Sequence, residues 1–225
     1  MMSSSLNTYV INEVKIQLKG LSKESGLTTG KVRSVSARVF KQIQDKSIEN
    51  VFTLCERLLG ERKWEYGIIA YDWAFRVRDQ YRNSTFIIFE NWLKTYVTGW
   101  GDCDDFCTHA FGDLLSRYNC LFPKVLRWTD HPDFWVRRAS AIILIYPIKK
   151  MKYHELKPFA IADRLMNDDH HLVLKGYGWM LKILSASQPE EVYHYLIKNK
   201  ELMPRISFRY AIEKLDNNLK LSLKI

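Results

Sequence analysis

Trp100 and Asp104 stand four residues apart in the run Gly99-Trp-Gly-Asp-Cys-Asp-Asp-Phe-Cys-Thr-His-Ala-Phe-Gly-Asp113. That spacing puts both side chains on one face of a helix. A carboxylate held there can stabilise positive charge developing on a nearby atom and position an attacking water. An aromatic face attracts a cation within about 6 Å, worth on the order of 0.5–2 kcal/mol. Arg138, in Trp135-Val-Arg-Arg-Ala139, can make charge-assisted contacts to a phosphate. Trp179, closing Lys175-Gly-Tyr-Gly-Trp179, supplies a second aromatic face. The same residue types also have structural uses. Trp100 and Trp179 can anchor a core. Asp102, Asp104 and Asp105 crowd a helix start, where carboxylates favour the positive dipole end. Arg137 and Arg138 can form a solvated face, and His170-His171 suits solvent or a phosphate better than catalysis.

The elements that must position these residues are helices. Strand alternation is rare, no Asn-Gly or Asp-Gly hairpin turn occurs, and apolar residues recur at helical spacing. Leu54, Leu58 and Leu59 form one such series, Ile88, Trp92 and Tyr96 another, and Leu181 and Leu184 a third. Helix starts are expected after Ser47 and Ser84, near Asp130 with Pro132 in a first turn, and at the capping box Ser187-Gln-Pro-Glu190. The pattern predicts helices over 6–20, 29–44, 48–60, 63–79, 85–97, 102–118, 119–128, 132–147, 154–167, 169–185, 189–199 and 205–222. Short connections make neighbouring helices antiparallel. Hairpins begin roughly 35–40 residues apart, a period typical of HEAT-like arrays. The expected fold is therefore all-α: a HEAT-like helical-repeat solenoid with a basic concave face, built as one domain over 1–225.

Composition narrows the partners. Net charge is +9 with a pI of about 9.3, and 47% of the 225 residues are hydrophobic. That supports a sizeable core and favours an acidic partner, nucleic acid before an anionic membrane. Basic residues recur in the C-terminal half, among them Arg127, Arg137, Arg138, Lys149, Lys175, Arg205 and Arg209, and such a row can track a phosphate backbone. Cys103 and Cys107 share a helix face, but no second Cys or His pair stands at zinc spacing, so no metal or cofactor is expected. Four free thiols fit a reducing compartment. No segment has signal-peptide form or about 18 uninterrupted apolar residues, so no membrane is expected. The expected state is a cytoplasmic, nucleoid-associated monomer that binds double-stranded DNA.

The ordered motifs resemble those of the AlkD family of DNA alkylation-repair proteins. Trp100, Asp104 and Gly112-Asp113 look like its Trp-and-Asp signature, Arg138 falls in a Trp-x-x-Arg-Ala element, and Trp179 in a Lys-x-x-Gly-Trp element. The stretch from Glu201 to Ala211, with Arg209, is similar to its closing helix. The resemblance runs from about residue 26 to 215. It implies a helical-repeat fold with a basic DNA-binding face. It also implies monofunctional release of cationic alkylpurines, chiefly 3-methyladenine and 7-methylguanine. The catalytic set so implied is Asp104, Trp100, Trp179 and Arg138. The implied DNA contacts are Arg137, Arg138, Lys175, Arg209 and Lys149.

The sequence departs from the family at one place. Active members carry two helices before a Gly-Ile/Leu-x-Thr-x-x-x-Arg element, and the second enters the DNA minor groove. Here that element reads Gly26-Leu-Thr-Thr-Gly-Lys-Val-Arg33, with room before it for one helix and a turn. Loss of about 3 kcal/mol of groove contacts would weaken binding roughly 150-fold. The expectation is a divergent member with weak or absent excision. A non-excising DNA-binding paralogue and a HEAT-type protein scaffold are the competing readings.

Overall fold

In a computed structural model, the backbone of residues 2–223 and the side chains of 6–22 and 26–223 are described. Every regular element among them is helical, as the periodicity predicts. The chain divides into two compact units, residues 1–85 and 86–225.

The first unit holds α1 (Met2–Ser25), α2 (Thr29–Gln42), α3 (Ile48–Leu59) and α4 (Trp64–Arg76). Gly26 has φ of +70°, a left-handed conformation that turns the chain after α1 at little cost only for glycine. The Thr28 hydroxyl then caps α2 by accepting from Lys31 N, and Ser47 caps α3 by accepting from Asn50 N, as the sequence suggests for Ser47. Val14, Val35, Leu54, Leu58 and Trp73 fill the core, and the Trp73 indole N–H donates to the Ser36 carbonyl at 3.2 Å.

The second unit opens with α5 (Thr85–Tyr96) and continues through α6 (Trp100–Cys107), α7 (Ala110–Arg117), α8 (Phe122–Arg127), α9 (Phe134–Ile142) and α10 (Ile145–Lys149). It ends in α11 (Pro158–Leu165), α12 (His171–Leu184), α13 (Pro189–Lys198), α14 (Arg205–Ala211) and α15 (Asn217–Ser222). Its core includes an aromatic cluster of Phe86, Phe89, Phe106, Phe111 and Trp128, with Phe106 and Phe111 centroids 5.2 Å apart.

Three predicted helices are broken, each for a local reason. Residues 102–118 divide at Thr108-His109, where the Thr108 hydroxyl and the His109 ring take the carbonyls of Asp104 and Asp105. Residues 132–147 divide after Ile142, because Pro147 cannot donate to the carbonyl of Ile143 and its ring crowds that group. Residues 205–222 divide where Asp216 caps α15 by accepting from Leu219 N. Asp133, not Asp130, caps α9, which leaves Pro132 outside the helix. Gln188 rather than Ser187 stands at the start of α13, with no side-chain cap and Pro189 in the first turn.

Gly112-Asp113 is explained by packing. A Cβ on Gly112 would lie 2.5 Å from Cys107 O and 2.5 Å from Tyr146 Cβ, so glycine alone lets α7 close on α10. Asp113 is buried there, accepting from Tyr146 Oη at 2.8 Å and Arg117 Nε at 2.6 Å. Gly112→Ala is therefore expected to destabilise the protein by about 3 kcal/mol, the upper end for overpacking. Gly101→Ala, with nothing within 4 Å, is the neutral control in the same denaturant titration. Equal midpoints for the two variants would refute the account.

Candidate active site

Helix α6 sorts its residues by face. Cys103, Phe106 and Cys107 point into the core, while Trp100 and Asp104 turn away from it. Trp100 occupies the first turn after Gly99 and is 64% exposed, a large aromatic surface open to solvent. Asp104 lies one turn further on, its side chain 18% exposed.

Arg138 projects from α9, which packs on both α6 and α12. It is only 5% exposed. Its Nε donates to Asp104 Oδ1 at 3.0 Å, and its Nη2 to Oδ1 at 2.8 Å and Oδ2 at 2.9 Å. Its Nη1 donates to the carbonyl of Leu172 in the first turn of α12. One buried guanidinium thus ties Asp104 to α12. All of these Arg138 partners lie within the chain.

The Lys175–Trp179 motif follows from the same packing. A Cβ on Gly176 would stand 3.3 Å from both Cγ and Nη1 of Arg138, so glycine here leaves the space that the guanidinium fills. A Cβ on Gly178 would meet Ser207 O at 2.8 Å and Tyr210 Cβ at 2.9 Å, so this glycine lets α14 seat against α12. Tyr177 between them is buried, and burial pushes its phenol up to about 12. Trp179 is half-buried, three residues beyond Gly176 on the same stripe of α12. The structure joins Asp104 and Arg138 directly. Among the described residues, neither tryptophan makes a hydrogen bond or ring contact with that pair.

Arg137 faces the other way. It makes five hydrogen bonds, to both oxygens of Asp168, to Asp169 Oδ1, and to the carbonyls of His131 and Pro132. A guanidinium has five N–H donors, and all five are engaged within the chain. Of the other expected cations, Lys149 and Arg209 are exposed, on α10 and α14, and Lys175 is half-buried on α12.

Burial raises the Asp104 carboxyl above the usual carboxylate range, and Arg138 only partly offsets it. Burial likewise raises Asp102, against a hydrogen bond from the Thr98 backbone. Burial also pushes up Asp168, but hydrogen bonds from Arg137 and His170 N outweigh it and leave that carboxyl lowered. Burial raises the Cys107 thiol well above its ordinary value, which keeps it protonated and unreactive. Among the described residues, no group of three or more His, Cys, Asp or Glu side chains could hold a metal ion, and no helix is long and apolar enough to cross a membrane.

Gly176 and the Leu172 carbonyl are the contributors that sequence reasoning missed. The glycine was visible in the motif, but its purpose depends on a residue in another helix. The carbonyl leaves no mark on residue type.

A family profile described as "DNA alkylation repair enzyme" matches residues 12–215. Solved structures share the fold. A predicted DNA alkylation repair enzyme from Enterococcus faecalis superposes with a TM-score of 0.70 at 15% identity, over 89% of this chain and 95% of that one. AlkD2 from Streptococcus mutans gives 0.62 at 18% identity, over 90% and 99%. The protein smu.31 from Streptococcus mutans UA159 gives 0.62 at 18%, over 94% and 100%. No curated protein matches.

Proposed function

The chain belongs to the DNA alkylation repair family, and on that premise we propose that it binds duplex DNA and slowly releases purines alkylated at a ring nitrogen. The observation that carries this reading is the exposed Trp100 one helical turn from Asp104, whose carboxylate a buried Arg138 fixes in place.

The chemistry asks for little more. A 3-methyladenine or 7-methylguanine base in DNA already bears a positive charge. When its bond to C1′ breaks, the electron pair moves onto the ring and neutralises it, so no acid is needed for departure. The sugar is left as an oxocarbenium ion, which a nearby carboxylate stabilises electrostatically. Water adds to C1′ and gives its proton to the surroundings. The ring faces of Trp100 and Trp179 are suited to the cationic nucleotide, and Lys175, Arg209 and Lys149 to backbone phosphates.

The rate is expected to be low. Both oxygens of Asp104 accept hydrogen bonds from Arg138, so much of the carboxylate's field is already answered within the protein. That same feature favours the second reading, a paralogue that binds DNA without excising. Incubation with methylated DNA and quantification of released 7-methylguanine separates the two. Release above the spontaneous rate is expected. No release, with DNA binding retained, would establish the second reading. DNA binding itself should weaken steeply with added salt, as counterion release requires. Absence of binding even at low salt would leave a protein scaffold as the remaining reading.

The pH dependence has a definite sign. Only ionised Asp104 can stabilise the sugar cation, so release should fall on acidification, with a midpoint above the ordinary value of 3.8. A folded pKa raised above the unfolded one means the folded state binds the proton more tightly, so protonating Asp104 does not unfold the protein. Asp168 behaves oppositely: its lowered pKa contributes stability above its unfolded value, lost as pH falls through the lower folded one. Release should therefore decline at a higher pH than stability does. Coincident profiles would argue against Asp104 as the titrating group.

A further inference from the structure

Helices α12, α14 and α15 surround a cleft of about 780 Å³ in the second unit. Its volume falls in the range of small-molecule sites. Lys175, Arg205, Arg209 and Lys220 bring four cations to it, and Ile206, Tyr210 and Ile212 give it an apolar wall. Its one carboxylate, Glu213, is ion-paired with Lys182 outside the lining. Lys220 Nζ donates to the main-chain carbonyl of Glu213 at 3.0 Å, which holds the ammonium toward the cleft without neutralising it. Among the described residues, Lys175, Arg205 and Arg209 pair with no carboxylate.

Uncompensated charge concentrated in one cleft is costly unless an anion meets it. A phosphodiester inside a strand offers one negative charge, and successive diesters lie in a row. Cations contributed by three helices around one cleft suit a more highly charged group approached from several directions. A phosphomonoester carries close to two charges at neutral pH and three acceptor oxygens. The wall of Tyr210, Ile206 and Ile212 can receive the sugar and base that such a phosphate carries. Lys175 also stands one turn before Trp179 on α12.

We propose that this cleft is a binding site for a nucleotide 5′-phosphomonoester. Its source is either the phosphorylated end of a DNA strand or a free nucleotide. The inference rests on the DNA-binding reading only for the first source. It adds a preference for strand ends that backbone binding does not require.

The test uses the full chain and a short duplex labelled at a 3′ end, bearing either a 5′-phosphate or a 5′-hydroxyl at the opposite end. Binding is followed by anisotropy. The phosphorylated end should bind about tenfold tighter, the effect of one or two added charge-assisted hydrogen bonds. Arg205→Gln combined with Lys220→Gln should erase that difference. The charge-matched pair Lys152→Gln and Lys198→Gln, exposed and outside the cleft, should preserve it. In a second arm, deoxyadenosine 5′-monophosphate and deoxyadenosine are titrated by calorimetry. Binding of the monophosphate alone, lost in the Arg205/Lys220 variant, without end preference, identifies the free nucleotide as the source. Equal affinity for both ends together with no monophosphate binding overturns the proposal. So does an end preference that survives the Arg205/Lys220 changes. In either case, retained salt-dependent binding of the 5′-hydroxyl duplex leaves the broader DNA reading standing.

Discussion

Asp104→Asn is expected to reduce release of 7-methylguanine from methylated DNA by about 100-fold or more, the loss found when one preorganised electrostatic group is removed. The substitution keeps the side chain's size and removes its charge. The carboxamide can still accept from Arg138 through one oxygen, so the helical fold should persist, with unchanged far-ultraviolet ellipticity. DNA affinity should change little, because Asp104 is a carboxylate and repels phosphate rather than binding it. Loss of release with retained binding is thus the pattern that identifies a chemical role. An unchanged rate of release would remove Asp104 from the mechanism and with it the proposed chemistry.

Arg138→Met is expected to lower stability by about 3 kcal/mol, the lower end for breaking a buried ion pair by removing one partner. Methionine fills part of the space beside Gly176 but leaves Asp104 with both oxygens unanswered and the Leu172 carbonyl without its donor. For a chain of this size the thermal midpoint should fall by roughly 6–12 °C. A second substitution gives the sharper test. Asp104→Asn should change the stability of the native protein little, because burial already disfavours the charged carboxylate and the amide oxygen still accepts from Arg138. In the Arg138→Met background it should stabilise, because it removes a carboxylate that burial already disfavours. A larger gain in the Arg138→Met background than in the native protein is a direct measure of coupling. Additive effects would mean that the pair seen at 2.8–3.0 Å contributes no net interaction.

The two results together separate chemistry from support. Asp104→Asn acts on the reacting sugar. Arg138→Met acts through Asp104 and the seating of α12, so its loss of release should accompany a loss of stability. Arg137, its neighbour in sequence, should affect stability alone, because all of its bonds go to the segments at the N-terminal ends of α9 and α12.

Much of this protein is legible in its sequence. Helical spacing of Leu54, Leu58 and Leu59 announces a buried helix face, and the structure buries all three. Ser47 caps the helix it precedes, because a hydroxyl one residue before a first turn meets an orphaned N–H whatever the rest of the chain does. Trp100 and Asp104 share a face because four residues make about one turn. These features depend on bonds and angles within one helix. The interruption before Pro147 was local too, yet the apolar run around it concealed the break. Other decisions were made only by packing. Sequence offers Arg137 and Arg138 as near equals, but adjacent helical residues point about 100° apart, so one α9 orientation sends them to different partners. That orientation places α9 against both α6 and α12 and gives Arg138 to Asp104 and Arg137 to Asp168. The gap at Gly176 and the Leu172 carbonyl come from the same contact between helices more than thirty residues apart in the chain. Periodicity fixes which residues share a face; only the neighbour that covers the face determines what they hold.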